Sequence, residues 1–114
     1  MTPQPQVRAV RRSADEVELD LYIPRSLDFF PDHFPRLGIL PGVVQIDWAI
    51  TLGRQHLAVA GEFRGLRALK FLHPILPDSA VTLALSRSPG ELAFAYRAPE
   101  RAYSSGRALF AGQA

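Results

Sequence analysis

The sequence predicts an α+β domain in which one long helix packs against an antiparallel sheet of five to six strands. A chain of 114 residues is long enough for one domain with a modest core. One apolar run near the middle has the length of a helix. Apolar and polar residues alternate through most of the remainder, which is typical of strands. We therefore expect residues 1–114 to form a single domain.

The predicted strands come both before and after the helix in the sequence. Before it, a short strand is expected over Val7–Arg12, and a second strand alternates up to Pro24 through Val17, Leu19, Leu21 and Ile23. Arg25–Leu40, with two prolines and a glycine, is expected to be a loop. After the helix, strands are predicted over Leu66–Phe71, Ala80–Arg87, Leu92–Tyr96 and Ser104–Ala111. The middle two of these form a hairpin, because a Ser-Pro-Gly turn separates them.

The helix is predicted to begin near Gly42 and to end before Gly61, since Pro41 disfavours helical backbone in front of it. Its apolar residues cover nearly every direction around the axis: Val43, Val44, Ile46, Trp48, Ala49, Ile50 and Leu52. A helix that is apolar all round is a buried one. One sheet of this size leaves its edges and far face poorly covered, so pairing with a second copy is expected.

Composition excludes several classes of function. The absence of cysteine excludes disulfides and thiolate metal sites. Residues 1–12 lack the apolar region of a secretory signal, and no apolar run approaches the roughly 18 residues that span a membrane, so the cytoplasm is expected. Nucleic-acid binding is not expected, because aromatic and basic residues are not interleaved. A group of cations suits an acidic partner, or is simply a solvated surface: Arg54, Arg64, Arg67 and Lys70.

Two side chains and a helix start have the chemistry of a proton-transfer site. Asp47 lies among apolar neighbours, where a carboxylate either accepts backbone hydrogen bonds or is a general acid. His33 lies between phenylalanines and prolines, where it is either structural or a neutral base. The first N–H groups of the helix, at Gly42, either belong to an ordinary helix start or bind a carbonyl oxygen. The remaining histidines, His56 and His73, form no metal-ligand pattern with the first.

These residues together resemble a known family. The stretch His33-Phe34-Pro35, then Leu40-Pro41-Gly42-Val43-Val44, then Asp47, is similar to the signature of FabA/FabZ-type 3-hydroxyacyl-[acyl-carrier-protein] dehydratases. FabZ-type enzymes usually have Glu at the last position and FabA-type enzymes have Asp. A second stretch, Lys70–Pro77, resembles the Arg-Phe-x-x-Pro-Val-x-Pro strand of that family. Residues 43–49, Val-Val-Gln-Ile-Asp-Trp-Ala, are most similar to the compact dehydratases of aryl-polyene-type gene clusters.

The chain also departs from the family pattern. Asp32 and Arg36 stand where the family usually has Gly, and Gly38 stands where it often has Pro. Asp78-Ser79 replaces the family's Gly-Asp. Asp32 places a negative charge beside His33.

The resemblance implies a hot-dog fold, in which a curved antiparallel sheet wraps a central helix, and a homodimer or higher homo-oligomer with active sites at the subunit interface. It implies dehydration of a 3-hydroxyacyl thioester on acyl carrier protein to a trans-2-enoyl thioester, without cofactor or metal. His33 of one subunit removes the α-proton, and Asp47 of the other helps the hydroxyl leave. Gly42, with Val43, binds the thioester carbonyl, while Phe34 and Trp48 are candidate walls of an acyl tunnel.

Two other functions remain open at this point. A hot-dog acyl thioesterase would use Asp47 to direct water at the carbonyl, although the histidine in its Phe-Pro surroundings argues against it. A non-catalytic acyl-binding or partner subunit is compatible with the departures at Asp32 and Gly38.

Overall fold

A six-stranded antiparallel sheet packs against one helix in the computed structural model, which describes residues 4–25 and 39–112. The elements of these residues are β1 Gln6–Arg12, β2 Glu16–Ile23, α1 Gly42–Leu57, β3 Glu62–Phe71, β4 Ser79–Ser88, β5 Glu91–Ala98 and β6 Arg101–Ala111. The strand order is β1-β2-β4-β5-β6-β3, which puts β1 and β3 at the two edges. Within the described ranges, no helix has the length and hydrophobicity to cross a membrane.

The predicted α+β class, the single helix and the β4–β5 hairpin are confirmed in this part of the chain. β3 begins at Glu62 and not at Leu66, because its first residues pair with the end of β6, as in Glu62 with Ala111. A bulge next to Gly65 interrupts the alternation there, which hides the strand in the sequence. Residues 26–38 of the predicted loop lie outside the described residues.

The core lies between α1 and the concave face of the sheet. Apolar partners face each other across β2 and β4, such as Leu19 with Leu83. The helix contributes Trp48, Ala49 and Leu52, all buried, to the same cluster. Gly53 lets the helix approach closely, because a Cβ built there would lie 2.5 Å from a methyl group of Leu92. This packing sets the depth and the rotation of the helix in the sheet.

The expectation that α1 is buried all round is wrong for the single chain. Its sheet-facing side is buried, but Val43 on the other side is 74% exposed, and Asp47, Arg54 and Gln55 are exposed as well. One curved sheet contacts only one side of a helix, so apolar residues on the open side stay in water. The edge strand β3 and the residues after it are also apolar and exposed: Phe63, Leu66, Leu69, Phe71, Leu72 and Leu76.

The end of α1 depends on a residue in the left-handed backbone region. Ala58 follows the helix with φ 54, and the N–H of Val59 donates to the carbonyl of Gly53 over 3.4 Å. The guanidinium of Arg54 donates to the carbonyls of Val59 and Gly61 over 3.3 and 3.0 Å. Arg54, one of the cations expected to suit an acidic partner, therefore stabilises the end of its own helix.

We predict that Ala58→Gly stabilises the protein. A Cβ in the left-handed region is strained, whereas the added freedom of glycine in the unfolded chain offsets part of the gain, which leaves about 0.5–1 kcal/mol. Urea unfolding midpoints measure the effect. Ala80→Gly is the matched control, because Ala80 is exposed in β4 and has no positive φ, so the same substitution should destabilise there. Equal shifts of the two midpoints in the same direction would contradict the backbone argument.

Candidate active site

The start of α1 presents two backbone N–H groups. Pro41 precedes the helix with extended backbone, φ −60 and ψ 144, and its carbonyl accepts the N–H groups of Val44 and Gln45 over 3.1 and 3.2 Å. No side chain caps the helix, and in the described part of the chain the N–H groups of Gly42 and Val43 have no hydrogen-bond partner. They lie at the positive end of the helix dipole. Such a pair is suited to bind a carbonyl oxygen that gains negative charge.

The aromatic ring of Phe71, at the end of β3, lies directly over Gly42. A Cβ built on Gly42 would lie 2.7 Å from the ring, so only glycine allows this contact as it stands. Beside it is a groove of about 410 Å³, lined by Ile39, Leu40, Gly42, Gln45, Phe71, Leu72, His73 and Pro74. The described part of the first family-like stretch, at Leu40 and Gly42, therefore meets the second stretch at the helix start.

Gln45, Ser104 and Tyr96 form a buried polar cluster under this groove. The Ser104 hydroxyl donates to Gln45 Oε1 over 2.6 Å, and Gln45 Nε2 donates to the carbonyl of Leu40 over 3.2 Å. The Tyr96 hydroxyl donates to the main-chain carbonyl of Gln45 over 2.6 Å. Burial, with a smaller effect of the Asp47 charge, raises the pKa of Tyr96, so the phenol stays a neutral donor. The sequence reasoning missed Gln45, although an amide within an apolar helix run was a visible signal.

Asp47 lies on the open side of α1, where its side chain is exposed. Its apolar neighbours in the sequence do not bury it in the single chain, since Trp48 beside it lies in the core. Asp47 borders a second groove of about 690 Å³ together with Gln4, Pro5, Val7, Thr51, Leu52 and Gln55. The structure thus places Gly42 and Asp47 on one helix but in two different grooves.

Of the remaining predicted site residues, the structure describes Trp48 but not His33 or Phe34. Trp48 is fully buried in the core and borders neither of these two grooves as formed by the described residues. His33 and Phe34 lie outside the described residues, so their roles remain predictions, as does the tunnel wall at Trp48. The departures Asp32, Arg36 and Gly38 lie outside them too.

Arg25 and Leu40, which flank the segment that carries His33, are both hydrogen-bonded to one short stretch, residues 75–78. At the start, Asp78 accepts hydrogen bonds from the Arg25 N–H and Nε, over 3.3 and 3.0 Å. At the end, the N–H of Leu40 donates to the Ile75 carbonyl over 2.9 Å. Hydrogen bonds from Tyr22 and then from Arg25 lower the pKa of Asp78, so this anchor remains charged well into the acidic range.

Asp78 also accounts for one departure from the family pattern. Its φ is 61, in the left-handed region that favours glycine, which is the residue the family has there. Aspartate is among the residues that tolerate this backbone. In this chain the substitution adds a carboxylate that holds Arg25.

The other predicted cations differ in their availability. Arg67 pairs with Glu91 over 2.6 Å, and Arg107 pairs with the same carboxylate, which is mostly buried. Arg64 makes only an exposed pair with Glu62 over 3.4 Å. Lys70 has no ion pair in residues 4–25 and 39–112. Lys70 and Arg64 are thus the members of the group with charge available to a partner.

Comparison with known proteins identifies the family. Residues 9–107 match the model of the ApeI-like family, described as ApeI dehydratase. The chain belongs to the ApeI-like dehydratase family. This confirms the resemblance to hot-dog dehydratases of aryl-polyene clusters, and with it the reaction class, dehydration of a hydroxyacyl thioester. Among curated proteins, none has a sequence that matches this chain significantly.

Solved structures of similar proteins support the fold of this chain. The dehydratase heterocomplex ApeI:P from Xenorhabdus doucetiae contains a chain with 28% identity and a TM-score of 0.86, with 94% of this chain and 97% of that chain covered. An uncharacterised protein from Erwinia carotovora subsp. atroseptica has 31% identity and a TM-score of 0.77, with 96% and 95% covered. The dehydratase domain of a mycocerosic acid synthase-like polyketide synthase, at 19% identity, TM-score 0.68 and coverage of 93% and 39%, shares the fold. The predicted hot-dog fold is confirmed.

We predict that Gly42→Ala lowers turnover far more than stability. The new Cβ must displace the Phe71 ring, which is 50% exposed in the single chain, and it crowds the approach to the helix N–H groups. A misplacement of about 1 Å at such a site costs up to about 100-fold in rate. Turnover of a 3-hydroxyacyl thioester and thermal unfolding are measured on the same samples.

A double-mutant cycle gives the control for this steric argument. Phe71→Leu removes the ring atoms that the Cβ would meet, so Gly42→Ala should cost less in that background. If the losses of turnover are additive in the double variant, the effect of Gly42→Ala does not come from its contact with the Phe71 ring.

Proposed function

We propose that this ApeI-like dehydratase converts 3-hydroxyacyl thioesters on acyl carrier protein into trans-2-enoyl thioesters. One observation carries the proposal: Gly42 and Val43 present unpaired N–H groups, within the described residues, beside a groove at the helix start. A carboxylate, Asp47, lies on the same helix but borders the second groove, so that a complete site takes it from a second subunit. Elimination of water next to a thioester needs such an oxygen site together with an acid and a base.

The reaction is a proton abstraction followed by loss of water. The thioester oxygen accepts hydrogen bonds from Gly42 and Val43, which stabilise the negative charge that develops there. His33 takes the α-proton, and the C–H electron pair becomes part of the new double bond. Asp47 donates a proton to the β-hydroxyl as the C–O bond breaks, so that water leaves. Proton exchange with solvent then restores neutral His33 and the acid form of Asp47.

Each complete site in this proposal is shared by two subunits, with His33 from one and Asp47 from the other. The open side of α1 and the apolar edge strand β3 both lack cover in the single chain, which supports a partner at these surfaces. We propose a homodimer or a higher homo-oligomer. The similar chain from Xenorhabdus doucetiae comes from a heterocomplex, so a related but different subunit is the second candidate partner. Mass measurement of the purified chain, alone and with such a subunit, separates the two assemblies.

We predict that His33→Ala and Asp47→Asn each remove most of the dehydration, because each lacks one of the two proton-transfer groups. The expected loss is about 100-fold or more for either group. The assay follows three products of a 3-hydroxyacyl thioester: enoyl thioester, free thiol, and bound but unconverted substrate. Free thiol would support a thioesterase, and binding alone a non-catalytic subunit.

Mixing the two inactive variants tests the shared site. A mixed dimer holds one intact site, so part of the activity should return once subunit exchange is confirmed. Glu100→Gln is the matched control for Asp47→Asn, because Glu100 is an exposed acid in the β5–β6 turn. Full activity in either single variant would refute the assigned chemistry, whereas absence of rescue would refute only the sharing.

We predict that carrier-bound substrate depends on Lys70 and Arg64, because carrier proteins are acidic and these cations have charge available. Lys70→Glu with Arg64→Glu should slow carrier-protein turnover about tenfold at low salt and should spare a short neutral thioester. Rising salt should reduce the difference, since screening acts over about 8–10 Å. Arg8→Glu, on the opposite edge strand β1, is the matched control. Equal slowing of both substrates would assign the cations to structure.

A further inference from the structure

The buried polar cluster under the groove connects the helix start to two strands of the sheet. Gln45 and Ser104 are the buried polar side chains among the described residues, at 3% and 2% exposure. Burying an amide is costly unless its atoms are hydrogen-bonded. In the described ranges, every buried side-chain nitrogen and oxygen has a partner. A cluster this deep and this complete has a defined geometry, because each member is held by the others.

Gln45 closes a ring of contacts around the residues that present the N–H groups. Its own N–H donates to the carbonyl of Pro41, and its side chain donates to the carbonyl of Leu40. The N–H of Leu40 is held from the other side by Ile75. The peptide units before Gly42 are therefore fixed by contacts from outside the helix as well as from within it.

The amide of Gln45 is not needed to bury the helix. Trp48, Ala49 and Leu52 supply the apolar side that packs on the sheet, and an apolar side chain of similar size would fill the volume of Gln45. The amide instead sets the path of the backbone, because its hydrogen bond to the Leu40 carbonyl fixes how Leu40 and Pro41 lead into the helix. The same side chain borders the groove beside Gly42.

We propose that Gln45, oriented by Ser104, is a positioning residue that fixes the direction of the Gly42 and Val43 N–H groups for dehydration. This inference rests on the proposed function, because it assigns those N–H groups to the thioester oxygen. Gln45 acts through the backbone of Leu40 and Pro41 and touches no reacting atom. Tyr96, which donates to the Gln45 carbonyl, holds the same turn of the helix from β5.

The experiment separates positioning from stability by measuring both in each variant. Gln45→Met combined with Ser104→Ala removes the amide together with the hydroxyl that donates to it, and it leaves the Leu40 carbonyl without this donor, so a loss of stability is expected beside any loss of rate. Ser104→Val and Ser104→Thr form a matched pair, since valine and threonine have the same shape and only threonine retains the hydroxyl. Each variant is compared with the unaltered protein in urea unfolding and in turnover of a short neutral 3-hydroxyacyl thioester.

We expect a loss of rate without a matching loss of fold or affinity. The kcat of Gln45→Met/Ser104→Ala and of Ser104→Val should fall about 10- to 100-fold with little change in KM, because the N–H groups matter most when charge develops on the oxygen. Ser104→Thr should retain most of the rate. In amide NMR spectra, the Gly42 and Val43 signals should move in the first two variants and stay near their positions in the threonine variant.

Three results would overturn the inference. The first is unchanged kcat in the folded valine and double variants, and the second is a loss of kcat that follows only the loss of folded protein. The third is unmoved Gly42 and Val43 signals, a readout that does not depend on the reaction. His33→Ala and Asp47→Asn are assayed in parallel: activity in those variants refutes the proposed function, whereas inactivity there with normal Gln45 variants refutes only positioning.

Discussion

The packing of one side of α1 against the concave sheet is the constraint on which the other features depend. The helix packs on β2, β4 and β5 and buries Trp48, Ala49 and Leu52, and truncating a buried residue the size of Trp48 typically costs about 3–5 kcal/mol. With that side fixed, the helical period decides where every other residue of α1 points. Gly42 and Gln45 face the end of β3, and Asp47 faces away from the sheet. The buried side of α1 therefore determines where the polar groups of the candidate site lie.

Two short stretches that are far apart in the sequence, around Gly42 and around Phe71, come into contact at the helix start. Gly42 opens the helix, and Phe71 ends β3 with its ring on that glycine. The stretch after Phe71 is held to β6, since the N–H groups of Leu72 and His73 donate to the carbonyl of Tyr103 over 2.8 and 3.2 Å. The same stretch continues to Ile75, which holds Leu40. The helix start is thus defined by a closed set of backbone contacts that includes both motifs.

Much of the fold was predictable because strands and helix leave different periods in the sequence. β2, β4 and β5 alternate cleanly, as expected for strands with one buried face, and Pro41-Gly42 marks the helix start. The early part of β3 was missed because a bulge interrupts its alternation between Phe63 and Gly65. Burial of α1 was overestimated because a sequence pattern does not say whether its cover comes from the same chain.

The candidate site could be proposed from residue types, whereas its contacts could not. Gly42 and Asp47 were expected there from their chemistry and from the spacing of the family pattern, and their roles remain predictions. The roles of Arg54 and Arg67 were missed, because their partners lie at Gly61 and at Glu91 of another strand, and no local pattern marks such pairs. Gln45 was visible as an amide in an apolar helix run, but its partner Ser104 was not, since it joins from a strand that is distant in sequence.

The hydrogen bonds on either side of the histidine-bearing segment have a consequence for folding. Arg25 bonds to Asp78 and Leu40 bonds to Ile75, so the residues before and after the segment are held by one short stretch between β3 and β4. When both ends of a segment are held, a change in its length alters the closure entropy only slowly. Residues added or removed between these two attachment points, away from the motif around His33, should therefore change the free energy of unfolding little.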